Sequence, residues 1–551
     1  MESTDVDVKA HSATNPAHSS VRHLARSTVL LAVTFAIAKA ISLGQVVIIA
    51  RVFGLGAEWD AYVTANRIPE LLVLLIGGGA LGYAFIPVFG GLLARHEQEQ
   101  AWRLASHVMN TIFAVTALLS ALVFVLAPWL VAHVTAPGFS GEQVTQTAIL
   151  MRILLLSTLI FSVSGIFQGI LHSHNHFLLP ALAPILFDVG ILFGVVFLVD
   201  RMGVYGIAWG AVLGSALHFG IQVPGLFRYR IRWWPELGWR DPRLHQVIRL
   251  MIPRLLGLGV VSFNFLVANN IASRLGEGAV SAFDWGWRLM QIPETLLGTA
   301  MGFVIFPTLA ALSELGDLNG KRSALSGAMR FIIVATVPAA FGLILLGRPL
   351  IGLLERGAFD AAASEAVYNT LQFFALGLIV HSALEVVARG FYADKDTVTP
   401  LYVAVLAAAV NLALALTLSG PLGVGGLALA NSMAVAVEVT VLLVLLWRRW
   451  QGIGEQPIFS ALVRSLLASL AMAASVLVLE AVFERLGAGS GLMFALLRLG
   501  VLFVSAVVVY GGVALLLGLT EIRDVVLLVL RRGRSETPAA MVAVEGAGNG
   551  D

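Results

Sequence analysis

The chain has no cysteine in 551 residues. That excludes disulfides, thiolate metal sites and cysteine nucleophiles, but it does not identify a compartment. Charge is also scarce. Asp, Glu, Lys and Arg make up 12% of the chain, against roughly 25% in an ordinary soluble domain. A chain that is 58% hydrophobic cannot cover itself with polar surface, so much of its solvent is lipid. Length alone suggests about three or four soluble domains, a prior that does not apply here. The net charge of +2 is too small to indicate a nucleic-acid surface. Enzyme signatures are missing too. There is no phosphate-binding Walker loop, no His-Glu-x-x-His and no acid cluster with metal-ligand spacing. "LHSHNHF" (171–177) reads as a polar loop rather than a metal site. "IGGGALG" (76–82) lies inside an apolar run, where close packing or a hinge explains it better than phosphate binding. No catalytic residue, metal or cofactor is expected.

What the chain has is long apolar runs. A membrane-crossing helix needs about 20 mainly apolar residues. Fourteen such runs lie between 28–50 and 491–518, which predicts an all-α polytopic membrane protein with about 14 transmembrane helices. Runs two (63–93), eight (282–314) and ten (362–391) are long and contain Pro or Gly, so they are expected to bend or tilt. The first run is too long for a signal-peptide core, about 7–15 residues, and reads as a retained span. Residues 1–21 are polar and expected to be disordered. "TEIRDVVLLVLRRGR" (520–534) reads equally as an interfacial helix or as a continuation of the last span.

Orientation follows from basic residues. About 20 of the 35 Lys and Arg fall in both tails and the even-to-odd loops, against about 6 in the opposite loops. The positive-inside rule then puts both termini in the cytoplasm. "RYRIRWWPELGWRDPRLHQVIR" (228–249) contributes six of them.

The chain also repeats itself. "DAYVTANRIPE" (60–70) is echoed by "DWGWRLMQIPE" (284–294). Gly54, Asp60 and Pro69-Glu70 align with Gly278, Asp284 and Pro293-Glu294. Three further landmark pairs follow at offsets of 220 to 224 residues. Each half holds six spans, an even number. This predicts parallel repeats about an axis along the membrane normal, with the last two spans outside them. The expected division is a cytoplasmic tail (1–27), an N-lobe (28–227), a basic linker (228–249), a C-lobe (250–447), spans thirteen and fourteen (458–518) and a C-terminal tail (519–551). Two such lobes are expected to face a shared aqueous cavity, which would explain charges inside spans that otherwise cost about 2.5–3.5 kcal/mol each.

The candidate site residues are those charges. Asp284 and Arg288, at i,i+4, share a helix face and can pair. Asp60 and Arg67 stand two turns apart. Either Arg can be neutralised by its own helix, or serve as a cation for an anionic, phosphorylated substrate, which the forked guanidinium suits. Lys39 lies eleven residues inside the first span, awkward for snorkelling. Arg254 follows Pro253 at a span start, where an interfacial anchor is equally open. Asn264, Asn269 and Asn270 read as interhelical hydrogen-bond residues. Arg152, Arg330, Arg464 and Arg498 read as anchors near span ends. Asp188, Glu385 and Glu438 are carboxylates within spans that lack an evident local partner.

"ARVFGLGAEWDAY", "RIPELL" followed by "AFIPVF", "VTAPGF" (134–139), "RLMQIP" (288–293) and "GFYADKDTVTP" (390–400) occur in this order, and in it the chain resembles the MurJ (MviN) family of lipid II flippases in the MOP exporter superfamily. The resemblance runs across nearly all fourteen spans. It implies a carrier, not an enzyme, that moves an undecaprenyl-diphosphate-linked muropeptide across a bacterial plasma membrane by alternating access. It implies a basic cavity for diphosphate and sugar, a groove beside the last two spans for the lipid tail, and cell-wall synthesis machinery as a potential partner. The family's first-span Arg falls on Lys39, and the family Asp opening span two is Asp60. The Asn that follows Pro there is Glu70 here. Arg288 matches the span-eight Arg, while the Glu three residues on is Gln291. The implied substrate-binding set is Lys39, Asp60, Arg67, Glu70, Arg254, Asp284, Arg288 and Gln291. A family sodium site needs Asn and Asp four apart in span eleven; Asn411 is followed by Ala415, so that site is not expected. The losses at Glu70 and Gln291 leave room for an exporter of another polyprenyl-linked glycan.

Overall fold

The computed structural model describes residues 41–523 apart from 43, 77, 78, 175, 230 and 486–490; the side chains of 76, 79–83, 253 and 254 also lie outside the description. Lipid offers no hydrogen-bond partners, so a spanning segment must satisfy its backbone internally, and helices do this. The helices are α1 (Gly44–Phe53), α2 (Ala57–Ile76), α3 (Gly79–Ala94), α4 (Gln98–Leu130), α5 (Gly141–Ser173), α6 (Leu178–Phe193), α7 (Val199–Met202), α8 (Tyr205–Gly220) and α9 (Val223–Arg228). They continue with α10 (Pro242–Ala272), α11 (Ala279–Glu294), α12 (Ala300–Glu314), α13 (Leu318–Gly352), α14 (Ala361–Ala393), α15 (Val398–Trp450), α16 (Glu455–Arg485) and α17 (Leu492–Leu516). Short π turns at Val131–Thr135, Gly194–Leu198 and Thr295–Thr299 continue α4, α6 and α11. No strand occurs among the described residues, and eleven helical segments there are long and apolar enough to cross a membrane. The protein is a multi-pass α-helical membrane protein.

Between spans eleven and twelve the run Val398–Trp450 is broken at Gly423, whose φ 56° and ψ −136° are not helical. Glycine adopts that positive φ without a Cβ penalty. The span boundaries differ from expectation in two places. Span two divides into α2 and α3 around the Gly-rich segment. The segment 228–249 is only partly a loop, because α10 starts within it at Pro242. Pro suits a first helical position, and the Asp241 carboxylate accepts from the Arg243 amide at 2.9 Å.

Two compact units emerge. Among the described residues, unit 1 holds those from 41 to 52, then 65–130 and 145–255; unit 2 holds 53–64, 131–144 and those from 256 to 523. The segments 53–64 and 131–144 thus pack with the second half of the chain.

In unit 1 the core gathers Phe85, Phe89, Leu104, Met251 and neighbours from α3, α4, α5 and α10. Residues 231–241 lie along α4 without regular structure, held by its polar side chains. Asn110 Nδ2 donates to the carbonyls of Trp234 and Glu236 at 2.6 and 2.8 Å, and Thr111 Oγ1 to that of Leu237 at 2.8 Å. His107 Nδ1 lies 3.0 Å from the Asp241 carboxylate. The "LHSHNHF" motif contributes His174, whose ring stacks between Trp102 and Tyr229; this is ordinary aromatic packing.

In unit 2, α14 lies against α11, α12, α13 and α15, with Phe374 and Phe391 fully buried. Asp317 and Asp360 cap α13 and α14, accepting from the amides of Gly320 and Ala363 at 2.9 and 2.8 Å. α16 and α17 pack on α13, where the Tyr510 hydroxyl donates to the Val334 carbonyl at 2.6 Å. Two arginines read as anchors near span ends are also paired: Arg330 with Glu521, and Arg498 with Glu480 at 3.0 Å.

The loop after α14, from "GFYADKDTVTP", is a polar lock. Asp394 accepts from Lys321 Nζ and Ser313 Oγ at 2.7 Å each and from Trp450 Nε1 at 2.9 Å. Asp396 accepts from Arg449 at 2.7 Å and from the Thr399 amide and hydroxyl at 2.9 and 2.8 Å. Burial opposes ionisation of both. The Thr399 and Arg449 bonds outweigh it and pull Asp396 from 3.8 down to about 2. The Lys321, Ser313 and Trp450 bonds likewise outweigh it and lower Asp394. A carboxylate whose folded value is depressed contributes stability above its unfolded value, and that stability is lost as pH falls through the folded value. Thermal stability in detergent is therefore expected to fall as pH drops from 3.8 toward about 2, and Asp396→Asn should flatten that dependence. An unchanged profile in the variant would contradict the assignment.

Candidate functional site

The site is built at the start of α11, in unit 2. Gly278, at the N-cap position, has φ +81° and no side chain to cap the helix. Asp60, from the first turn of α2, does so from another segment. Its Oδ2 accepts from the Gly278 amide at 2.7 Å and its Oδ1 from the Ser281 amide at 2.7 Å; the Ser281 hydroxyl donates to Oδ1 as well. The reverse also holds, since Glu277 Oε1 accepts from the amide of Ala57, the first residue of α2, at 3.0 Å. The two helix starts cap each other. Negative charge at a helix N-terminus also suits its dipole. Trp59 and Trp285 meet beside them, ring centroids 6.1 Å apart.

This arrangement needs glycine at 278. A Cβ there would lie 2.7 Å from the Leu55 carbonyl oxygen, at a positive φ that L side chains rarely adopt. Gly278→Ala is expected to lower the melting temperature, with a cost of at least about 1 kcal/mol. A thermal-shift measurement checks it, and an unchanged value would contradict the packing.

One turn into α11, Asp284 is 3% exposed and accepts from Arg288 Nε at 2.6 Å. The predicted i,i+4 pair forms. It anchors one side of the guanidinium while the Arg288 side chain stays half exposed (52%). The carboxylate at the buried end orients the cation. Gln291, one turn on, is exposed.

The two aspartates that align in the repeats therefore do different things. Asp60 is fully buried and occupied in capping, whereas Asp284 holds an arginine. Arg67 is half-buried and Glu70 exposed, both on the part of α2 that belongs to unit 1; Asn66 Nδ2 donates to Glu70 at 3.4 Å. Lys39 and the side chain of Arg254 lie outside the described residues.

The span asparagines act as interhelical ties. Asn269 Nδ2 donates to Thr64 Oγ1 and the Thr135 carbonyl at 3.1 and 3.0 Å, and Asn270 to the Val134 carbonyl at 2.7 Å. Asn264 accepts from Asn411 at 3.3 Å. A cavity of about 410 Å³ in unit 2, lined by Phe263, Asn270, Arg274, Leu412 and Leu416 among others, does not include Arg288.

Two features escaped the sequence reading. Capping in trans by Asp60 spans 218 residues, and only the repeated Gly–Asp spacing hinted at it. Glu385 does have a local partner: Arg389 Nη2 donates to its Oε2 at 2.8 Å. The i,i+4 spacing was there to be read.

Comparison with known proteins agrees with this architecture. The family model described as "Lipid II flippase MurJ" matches residues 49–497. A "Probable lipid II flippase MurJ" from Rhizobium tropici is 29% identical over 512 residues, covering 91% of this chain and 95% of that protein. The "Lipid II flippase MurJ" of Burkholderia cenocepacia is 32% identical over 377 residues, covering 66% of this chain and 72% of that protein. Among solved structures, one titled "Lipid II flippase MurJ, inward closed conformation" superposes with a TM-score of 0.75 at 23% identity, over 90% of this chain and all of that one. A MATE multidrug transporter of the MOP superfamily gives 0.66 at 16% identity, over 75% of this chain and 94% of that one. These two likenesses show the fold alone. The family model, which covers most of the chain, shows more: this protein belongs to the lipid II flippase MurJ family.

Proposed function

We propose that this protein moves a polyprenyl-diphosphate-linked peptidoglycan precursor, lipid II, from the inner to the outer leaflet of a bacterial plasma membrane by alternating access. The single observation that carries the reading, within a chain of this family, is Arg288. It is a cation on a membrane-crossing helix, held on its buried side by Asp284 and half exposed on the other. A charge there is costly unless it serves a ligand or water. A diphosphate is a fitting ligand, because phosphate oxygens accept the paired donors of a guanidinium.

Asp60 is given a positioning role: it holds the start of the helix that presents Arg288. Lys39, Arg67, Arg254, Glu70 and Gln291 are assigned to the substrate's charged and sugar groups along its path. The surface beside α16 and α17 is assigned to the lipid tail. Both termini are placed in the cytoplasm by the basic-residue count. The protein works as a carrier without covalent chemistry, and cell-wall synthesis enzymes are the partners this role calls for.

The test is a strain depleted of its own flippase. Expression of this chain is expected to prevent lysis and the accumulation of lipid II. Rescue of another surface glycan alone, with lipid II still accumulating, would refute the reading.

A further inference from the structure

The cavity of about 410 Å³ in unit 2 lies between the C-terminal part of α10 and the first half of α15. Its walls follow helix faces. Phe263, Val267, Asn270 and Arg274 stand at i, i+4, i+7 and i+11 along α10 and the turn after it. Leu412, Leu416 and Ser419 stand at i, i+4 and i+7 along α15. Residues so spaced share one side of a helix. Asn411 Nδ2 donates to Asn264 Oδ1 at 3.3 Å, which sets the two helices side by side at the level of Phe263 and Leu412. All these residues lie beside that tie or C-terminal to it and line one cavity, so the two walls run the same way. The apolar side chains of both helices therefore fall at one end, and the polar ones at the other. At about 1.5 Å per residue, the wall from Phe263 to Ile271 is about 12 Å long.

The polar end is built around Arg274. Asn270 Nδ2 donates to the Val134 carbonyl at 2.7 Å, and its Oδ1 accepts from Arg274 Nη2 at 3.2 Å. The amide is fixed by the first bond and orients the guanidinium through the second. Among the described residues no carboxylate pairs with Arg274, whereas Arg330, Arg389, Arg449 and Arg498 in the same unit each have one. Glu277, the acid nearest in sequence, accepts from the Ala57 amide. Arg274 is exposed, and so are Phe263, Leu412 and Leu416, which leaves the slot open along one side.

We propose that this slot binds an anionic phospholipid, with its phosphate at Arg274 and one acyl chain along Phe263, Val267, Leu412 and Leu416. Ligand sites are mostly apolar, with a few polar groups that fix orientation, and here the polar groups sit together at one end. That shape selects an amphiphile. The charge selects its head, because guanidinium donors match phosphate oxygens and a basic residue near the membrane surface attracts anionic lipid. On the orientation read from the basic residues, the turn after α10 faces outward, so the lipid belongs to the outer leaflet. A lipid held there touches both α10 and α15 and braces them. The site needs no transported substrate and stands independently of the proposed function.

The experiment uses the full chain, purified in detergent and stripped of lipid. It is mixed with a phosphatidylglycerol that carries a photoreactive diazirine on one acyl chain, then illuminated, and labelled peptides are mapped by mass spectrometry. Labels are expected in 263–271 and 412–419. Arg274→Gln should weaken saturation of this labelling about fivefold, which corresponds to the roughly 1 kcal/mol that one basic residue contributes near anionic lipid. Leu416→Trp leaves Arg274 in place but fills the slot, and should remove the label from both segments. Leu416 is exposed, so this variant is expected to fold and decides the matter if Arg274→Gln does not. Phosphatidylglycerol should also raise the melting temperature of wild type and not that of Leu416→Trp. Equal labelling by the phosphatidylcholine analogue, or unchanged affinity in Arg274→Gln, would overturn the anionic head group. Label that persists at both segments in Leu416→Trp would overturn the slot. Displacement of the label by a polyprenyl diphosphate, where the same concentration of unlabelled phosphatidylglycerol leaves it in place, would overturn the proposal in favour of the carrier's own substrate.

Discussion

Arg288→Ala is expected to abolish rescue of a flippase-depleted strain and to weaken lipid II binding about tenfold or more. A hydrogen bond to a charged group contributes about 1.5–3 kcal/mol, and each 1.4 kcal/mol is about tenfold in affinity. Arg288→Lys keeps the charge without the fork, so an intermediate loss is expected. The substitution also strips Asp284, which is 3% exposed, of the Arg288 bond at 2.6 Å. Part of any defect is then structural. Breaking a fully buried pair costs about 3–5 kcal/mol, and the half-exposed arginine reduces that figure here. The double variant Asp284→Asn with Arg288→Ala separates the two effects. It should recover thermal stability and remain inactive. Native mass spectrometry of co-purified lipid gives the direct reading: wild type retains lipid II and Arg288→Ala does not. Equal retention by both would remove Arg288 from the site.

Asp60→Ala carries the second large effect, on stability rather than on chemistry. Asp60 satisfies the amides of Gly278 and Ser281, neither of which has water to turn to in a buried site. Leaving a buried donor unsatisfied costs about 1–3 kcal/mol, so two of them predict a loss of about 3 kcal/mol or more. Asp60→Asn keeps one acceptor oxygen and should fall between. Melting temperature and the yield of folded protein measure this. Transport per folded molecule should stay near that of wild type. If instead the variant is fully stable and inactive, Asp60 contacts substrate and its capping role is secondary.

The two aspartates show how far the sequence could be read. Asp60 and Asp284 occupy matching places in the repeat, each followed by an arginine and an Ile-Pro-Glu. Spacing alone predicted the Asp284–Arg288 pair, because residues four apart on a helix are neighbours wherever the helix lies. The same spacing rule was available for Glu385 and Arg389. The fate of Asp60 was not available, since its partners are 218 and 221 residues away. Sequence distance says nothing about which helix start lies opposite. Spans eleven and twelve illustrate a subtler limit. Their apolar runs were plain, but that the helical backbone breaks at Gly423 shows only in its positive φ.

Scarcity of charge and long apolar runs by themselves determined an all-helical membrane protein, because runs of about 20 apolar residues fit spanning helices, whereas a spanning barrel strand needs only about 9–11 residues. Ordered short motifs pointed to the family. Only the tertiary structure decided which charges are occupied in holding helices together and which face outward. Capping by Asp60 and the ties made by Asn269 are contacts between segments distant in the chain. Their energies depend on burial and angle, and neither quantity is encoded at any single position.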